Sequence, residues 1–129
     1  MNLEPEIFIC ETDYDQLNSF LSRQASNQDI HLLMAELDRA EIIPTNEMPD
    51  NVVRMYSEVT FTVSTTGKTF SAQLVYPNEV SSRDTISILS PVGSALLGLS
   101  VGQSIEWPLS IDRRTLVKIE NVNNSHIDK

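Results

Sequence analysis

The side chains that could do chemistry in this sequence are few and widely spaced. Cys10 is the only cysteine, and the two histidines, His31 and His126, have no second ligand at metal-binding spacing. No serine stands with a histidine and an acid in a context that would make it a nucleophile, and no glycine-rich run could cradle a phosphate. Carboxylates are abundant, but those spread along an amphipathic helix read as its solvated face. No catalytic residue, bound metal or cofactor is therefore expected, and Cys10 reads as a small buried hydrophobe. Two stretches remain that could recognise a partner. One is the polar run Ala25-Ser26-Asn27-Gln28-Asp29, and the other is residues 90–102, Ser-Pro-Val-Gly-Ser-Ala-Leu-Leu-Gly-Leu-Ser-Val-Gly.

The charges sort by position. Residues 1–50 hold 11 acids against Arg23 and Arg39, a net of 2 − 11 = −9, whereas residues 51–129 hold 7 acids and 7 bases. The acidic half is repelled by a phosphate backbone, which argues against nucleic acid as a direct partner. It suits a basic protein surface, or serves solubility alone. No run approaches the roughly 20 apolar residues that span a bilayer. The start, Met1-Asn2-Leu3-Glu4-Pro5-Glu6, lacks a signal-peptide pattern, and a lone cysteine permits no internal disulfide, so a cytoplasmic protein is expected.

The elements that must position these stretches can be read from periodicity. Residues 6–10 are short and apolar, a strand or tether. Thr12 then reads as an N-cap, with Asp13 and Asp15 against the positive end of the helix dipole. Tyr14, Leu17, Phe20 and Leu21 form one apolar stripe, predicting a helix over about residues 13–24. Ile30, Leu33, Met34, Leu37 and Ala40 form a second stripe, and the two should zip into an antiparallel helical hairpin, a short coiled coil over residues 1–44. Pro44 and Pro49 stiffen a linker over residues 45–50. The period then changes from helical to two. Residues 57–63 and the return through Phe70, Ala72, Leu74 and Tyr76 predict a β-hairpin, followed by strands near residues 85–89, 104–109 and 115–122 and a loose tail from Asn123. The fold class is α+β: a helical hairpin, then a domain over residues 51–129 with an antiparallel sheet of about five strands and one short helix.

That helix lies in residues 90–102. Ser90 is a good N-cap, Pro91 loses nothing at a first helical position, Ala95-Leu96-Leu97 supplies an apolar turn, and Gly98 suits a left-handed residue after the last turn. Two turns of helix are not stable alone and must be held by the sheet.

Ser90-Pro91-Val92-Gly93-Ser94-Ala95-Leu96-Leu97-Gly98, followed by Val101-Gly102, resembles the signature of the C-terminal domain of the Gre transcript-cleavage factors, a domain with an FKBP-like fold. Ala35-Glu36-Leu37-Asp38-Arg39-Ala40, Glu47-Met48-Pro49-Asp50-Asn51-Val52-Val53-Arg54-Met55, Leu74-Val75-Tyr76-Pro77 and Trp107 extend this to a resemblance to the Rnk family, regulators of nucleoside diphosphate kinase, over roughly residues 30–122. Gln103 departs from the family's usual Asp, and the turn at residues 110–113 lacks its usual Pro-Gly-Gly.

The resemblance implies a protein that docks on RNA polymerase, holding the rim of the secondary channel with the C-terminal domain and pointing the helical hairpin inward. Carried over by position, Ser90, Pro91, Gly93 and Leu96 become docking residues, with a structural cap and core turn as their other reading. The cleavage factors deliver acidic side chains at the hairpin tip to the polymerase's magnesium. Here a helix of about 12 residues spans only about 18 Å, and the tip, Asn27, Gln28 and Asp29, offers one carboxylate where a second metal would favour a pair. Occupancy without cleavage is thus expected, in competition with longer factors. The family name allows direct binding to nucleoside diphosphate kinase instead. Peptidyl-prolyl isomerase activity is less favoured: such isomerases floor their pocket with an aromatic residue in the turn where this chain has Val92, Gly93 and Ser94, and Trp107 falls in a later strand, suited to core packing.

Overall fold

A computed structural model describes residues 6–24, 28–81, 84–110 and 113–125. Strand β1 (Phe8–Cys10) runs directly into α1 (Glu11–Leu21), and α2 (Gln28–Arg39) returns into β2 (Glu41–Ile43). β1 and β2 pair in parallel at the base of the helical hairpin, Ile9 opposite Ile42. This pairing moves the expected helix start. Cys10 stands at the N-cap without a side-chain cap, because it still belongs to the strand. Thr12 is not the cap: its N–H donates to Thr45 Oγ1 at 3.0 Å, and the two hydroxyls lie 2.7 Å apart. At the other end α1 stops at Leu21, short of residue 24. Arg23 and Gln24 donate three residues back, to Phe20 and Leu21, which tightens the last turn and satisfies carbonyls that a longer helix would use.

The buried face of the helices holds Leu17, Ile30, Leu33 and Leu37. Met34 does not join it and is 46% exposed, since Leu33 already takes the inward position one residue earlier. The hairpin and the sheet share one apolar core: Ile7, Ile9, Leu17, Leu33 and Leu37 belong to the same cluster as Met55, Leu74, Leu96, Leu99 and Ile119.

After a single 3₁₀ turn at Thr45–Glu47 the chain enters a five-stranded sheet: β3 (Glu58–Val63), β4 (Lys68–Val75), β5 (Thr85–Ser87), β6 (Ser104–Ser110) and β7 (Arg113–Asn123), in the order β5-β4-β3-β7-β6. Period-two alternation puts Val59 and Phe61 in the core. Thr60 and Thr62 face outward, hydrogen-bonded to Ser71 and Thr69 across β4 at 2.9 and 3.0 Å. The sheet is not wholly antiparallel. β5 runs parallel to β4, Leu74 opposite Ile86, because the chain leaves β4 through a 3₁₀ turn at Pro77–Glu79 and crosses back before pairing. Helix α3 (Pro91–Leu96) follows β5, and its Leu96 is buried in the shared core.

The expected loose tail is ordered through its first residues. β7 runs to Asn123, and Asn124 Nδ2 donates to the carbonyls of Asp50 at 3.0 Å and Val52 at 2.9 Å, while its Oδ1 accepts from Ser57 Oγ. Gln103 performs a clamp of its own: its Oε1 accepts from the Ser100 N–H at 2.8 Å and its Nε2 donates to the Glu6 carbonyl at 3.2 Å. Asn27 and His126 lie outside the described residues, as do the side chains of Gln28, Asp29, Pro91 and Trp107. No described helix is long and apolar enough to cross a membrane.

Candidate docking surface

The turn leading into α3 is built from serine hydroxyls. Ser90, at φ −69° and ψ 152°, is the N-cap; its Oγ accepts from the Gly93 N–H at 3.0 Å and donates to the Ser87 carbonyl at 2.7 Å. Ser87 Oγ accepts from the Leu89 N–H at 3.0 Å, and Ser94 Oγ reaches back to the carbonyls of Ile88 and Ser90 at 3.0 and 3.2 Å. Pro91 takes the first helical position, as its missing N–H permits. Gly93 is a steric necessity: a Cβ there would stand 2.0 Å from the Ser87 carbonyl oxygen. Leu96 is 1% exposed, so it supports the turn from beneath and offers a partner no surface. Of the four residues expected to dock, Ser90, Pro91 and Gly93 form the turn itself, and Leu96 belongs to its foundation.

The end of α3 joins this turn to the helical hairpin. Gly98, at φ +84°, takes the left-handed conformation expected of it. Its N–H donates to Val53 at 3.0 Å and its carbonyl accepts from the Phe8 N–H at 3.2 Å, so the strand opening the hairpin lies directly on it. A Cβ at Gly98 would meet the Ile7 Cβ at 2.8 Å. A second tie escaped sequence reasoning. Asp13 faces inward, 6% exposed: its Oδ2 accepts from the Met55 N–H at 3.0 Å and lies 3.9 Å from Arg54 Nε. The only local hint was an acid in the first turn of a helix, which the dipole alone would explain. Thr45, Asp13 and Gly98 thus fix the hairpin at three points on the sheet side.

Near these ties Cys10 is buried, and burial first, then the charge of Asp13, pushes its thiol above the ordinary value. The far end of the hairpin is less defined. Gln28 and Asp29 open α2, and α1 and α2 contain 11 and 12 residues, a reach of about 17–18 Å. No group of three His, Cys, Asp or Glu among the described residues could hold a metal, and His31 lies exposed on α2.

Residues 48–124, which carry the whole sheet and α3, match the family described as transcription elongation factor GreA/GreB, C-term. The chain belongs to the GreA/GreB family. Within it, the chain is 40% identical over 108 residues to the "Regulator of nucleoside diphosphate kinase" of Escherichia coli (strain K12), covering 81% of this chain and 79% of that one. This relative places it with the Rnk-type members of the family. A solved structure titled prokaryotic transcription elongation factor GreA/GreB from Nitrosomonas europaea is 42% identical, with a TM-score of 0.74 over 92% of this chain and 98% of that one. The likeness therefore extends over nearly the whole of both chains. The relatives are named as regulators and elongation factors, so the chain is a regulator related to transcription elongation factors.

Proposed function

We propose that the protein is an RNA polymerase-binding transcription regulator that docks at the rim of the secondary channel and competes with Gre-type factors without stimulating transcript cleavage. In this reading residues 51–129 form the docking domain, residues 1–44 the hairpin that points into the channel, and Ser90, Pro91 and Gly93 the contact turn. The observation that carries it is a GreA/GreB-type C-terminal domain tied to a hairpin whose helices reach only about 17–18 Å. Such a hairpin occupies the entrance and falls short of the active site. The net charge of −9 over residues 1–50 favours approach to a basic protein surface.

The test is binding of the purified protein to core RNA polymerase with a long cleavage factor as competitor. Mutually exclusive binding, weakened in a folded Ser90→Ala/Pro91→Ala variant, is expected, with no stimulation of transcript cleavage. Absence of binding at tens of micromolar, or full cleavage stimulation, overturns the reading. In the first case direct binding to nucleoside diphosphate kinase, which the name of the relative puts forward, becomes the interaction to measure.

A further inference from the structure

On the side of the molecule formed by α1 and the Pro77–Glu79 turn lies a groove of about 450 Å³. Its floor is aromatic. Phe20 meets Tyr76 edge-on at a centroid distance of 5.1 Å, and Tyr76 lies 6.2 Å from Tyr56 behind it. Tyr56 holds an unusual backbone, φ +72°, which a bulky residue adopts only when its surroundings impose it. Here its N–H donates to Leu74 at 2.7 Å, its carbonyl accepts from Gln73 Nε2 at 3.2 Å, and its phenol donates to the Glu79 carboxylate at 2.9 Å. Glu79 also accepts from the Tyr76 N–H at 3.1 Å. The Tyr76 hydroxyl, by contrast, is buried with no hydrogen-bond partner among the described residues. Leaving such a group unmet is costly.

The charges along the groove are segregated. Asp15 lines it from α1, and Arg23 lines it from the turn that follows the helix, eight residues further on. With Glu79 in the opposite wall, the lining carries −2 + 1 = −1, inside a half of the chain at −9. Burial, followed by the charges of Asp13 and Glu79, pushes the Tyr76 hydroxyl up to about 12.

We propose that this groove receives a lysine or arginine side chain presented by a protein partner, its cation set against the Phe20 and Tyr76 rings and paired with Asp15. A long aliphatic stem matches the ring-lined floor, and a cation over aromatic faces is attracted by their quadrupoles. Phosphates are disfavoured by the net negative lining. The inference goes beyond the docking turn at Ser90 and does not depend on which protein supplies the cation.

The test uses the intact protein and two blocked tripeptides, Gly-Arg-Gly and its citrulline counterpart, which keeps the shape and loses the charge. Followed by NMR of the Phe20 and Tyr76 rings, the arginine peptide should give a saturable shift and the citrulline peptide none. Asp15→Asn, on an exposed face, should weaken binding about two- to fivefold, the range for an exposed ion pair, whereas Arg23→Ala should tighten it. No saturable shift at 50 mM peptide, equal response to citrulline, unchanged affinity in Asp15→Asn, weaker binding in Arg23→Ala, or saturation by inorganic phosphate alone would each overturn the proposal.

Discussion

Replacing Gly93 by alanine separates a local argument from a tertiary one, because the two give opposite signs. By helix propensity alone, Gly→Ala inside a helix stabilises by about 0.5–1 kcal/mol. In α3 the added Cβ would stand 2.0 Å from the Ser87 carbonyl oxygen, against a carbon–oxygen contact of about 3.3 Å, so α3 or the end of β5 must move by more than about 1 Å. Overpacking of this kind costs about 1–3 kcal/mol. The movement also opens the bond from the Gly93 N–H to Ser90 Oγ, a cap of about 1 kcal/mol. The propensity gain offsets part of this, leaving a net loss of about 1–3 kcal/mol, or a fall in Tm of roughly 4–12 °C. Urea unfolding followed by circular dichroism measures it as a lower midpoint at unchanged slope. Gly102→Ala is the internal comparison: at φ +93° with no atom within 4 Å of the new Cβ, it incurs backbone strain of about 1–2 kcal/mol and no collision. A neutral or stabilising Gly93→Ala would refute the close approach of α3 to Ser87, and with it the geometry of the turn.

Two further perturbations probe the ties around the hairpin. Asp13→Ala leaves the Met55 N–H unmet, so stability should drop by about 1–3 kcal/mol in the same urea experiment; no measurable loss would mean that the carboxylate is solvated. Alkaline titration reads the aromatic cluster. Burial first pushes both Tyr56 and Tyr76 up to about 12, followed by Glu79 for Tyr56 and by Asp13 and then Glu79 for Tyr76. Both stay protonated in the folded chain above the unfolded value near 10, so this stabilisation is complete below pH 10 and is lost as pH rises toward 12. Tyrosinate absorbance should show two residues ionising late, and Tyr56→Phe with Tyr76→Phe should remove both; early ionisation of either residue in the folded protein would contradict the cluster.

The capped turn at Ser90 was legible because its signals are local. Ser90, Pro91, Gly93 and Gly98 lie within nine residues, and each carries a signal set by its own helix: a hydroxyl on an N–H three residues on, a ring at a free first position, a left-handed residue after the last turn. Alternation likewise exposed β3 and β4, where burial of Val59 and Phe61 demands period two. Met34 was misplaced because a helical stripe one residue wider than its seam looks the same from sequence. β5 was misdirected because nothing in Thr85–Ser87 records which way its neighbour runs.

By itself, then, the sequence determined the α+β class, the short hairpin, the capped turn at Ser90 and the acidic first half, all properties of side chains acting on their own neighbourhood. Only the tertiary structure decided what those pieces do to each other. Asp13 becomes a buried acceptor for a residue 42 positions away, Asn124 closes on a carbonyl 74 positions back, and Phe8 lies on Gly98. Phe20 and Tyr76 meet in the floor of the groove in the same way. Such pairings depend on chain crossings that bury several elements at once, and the free energy that selects them belongs to the shared core, not to any single segment.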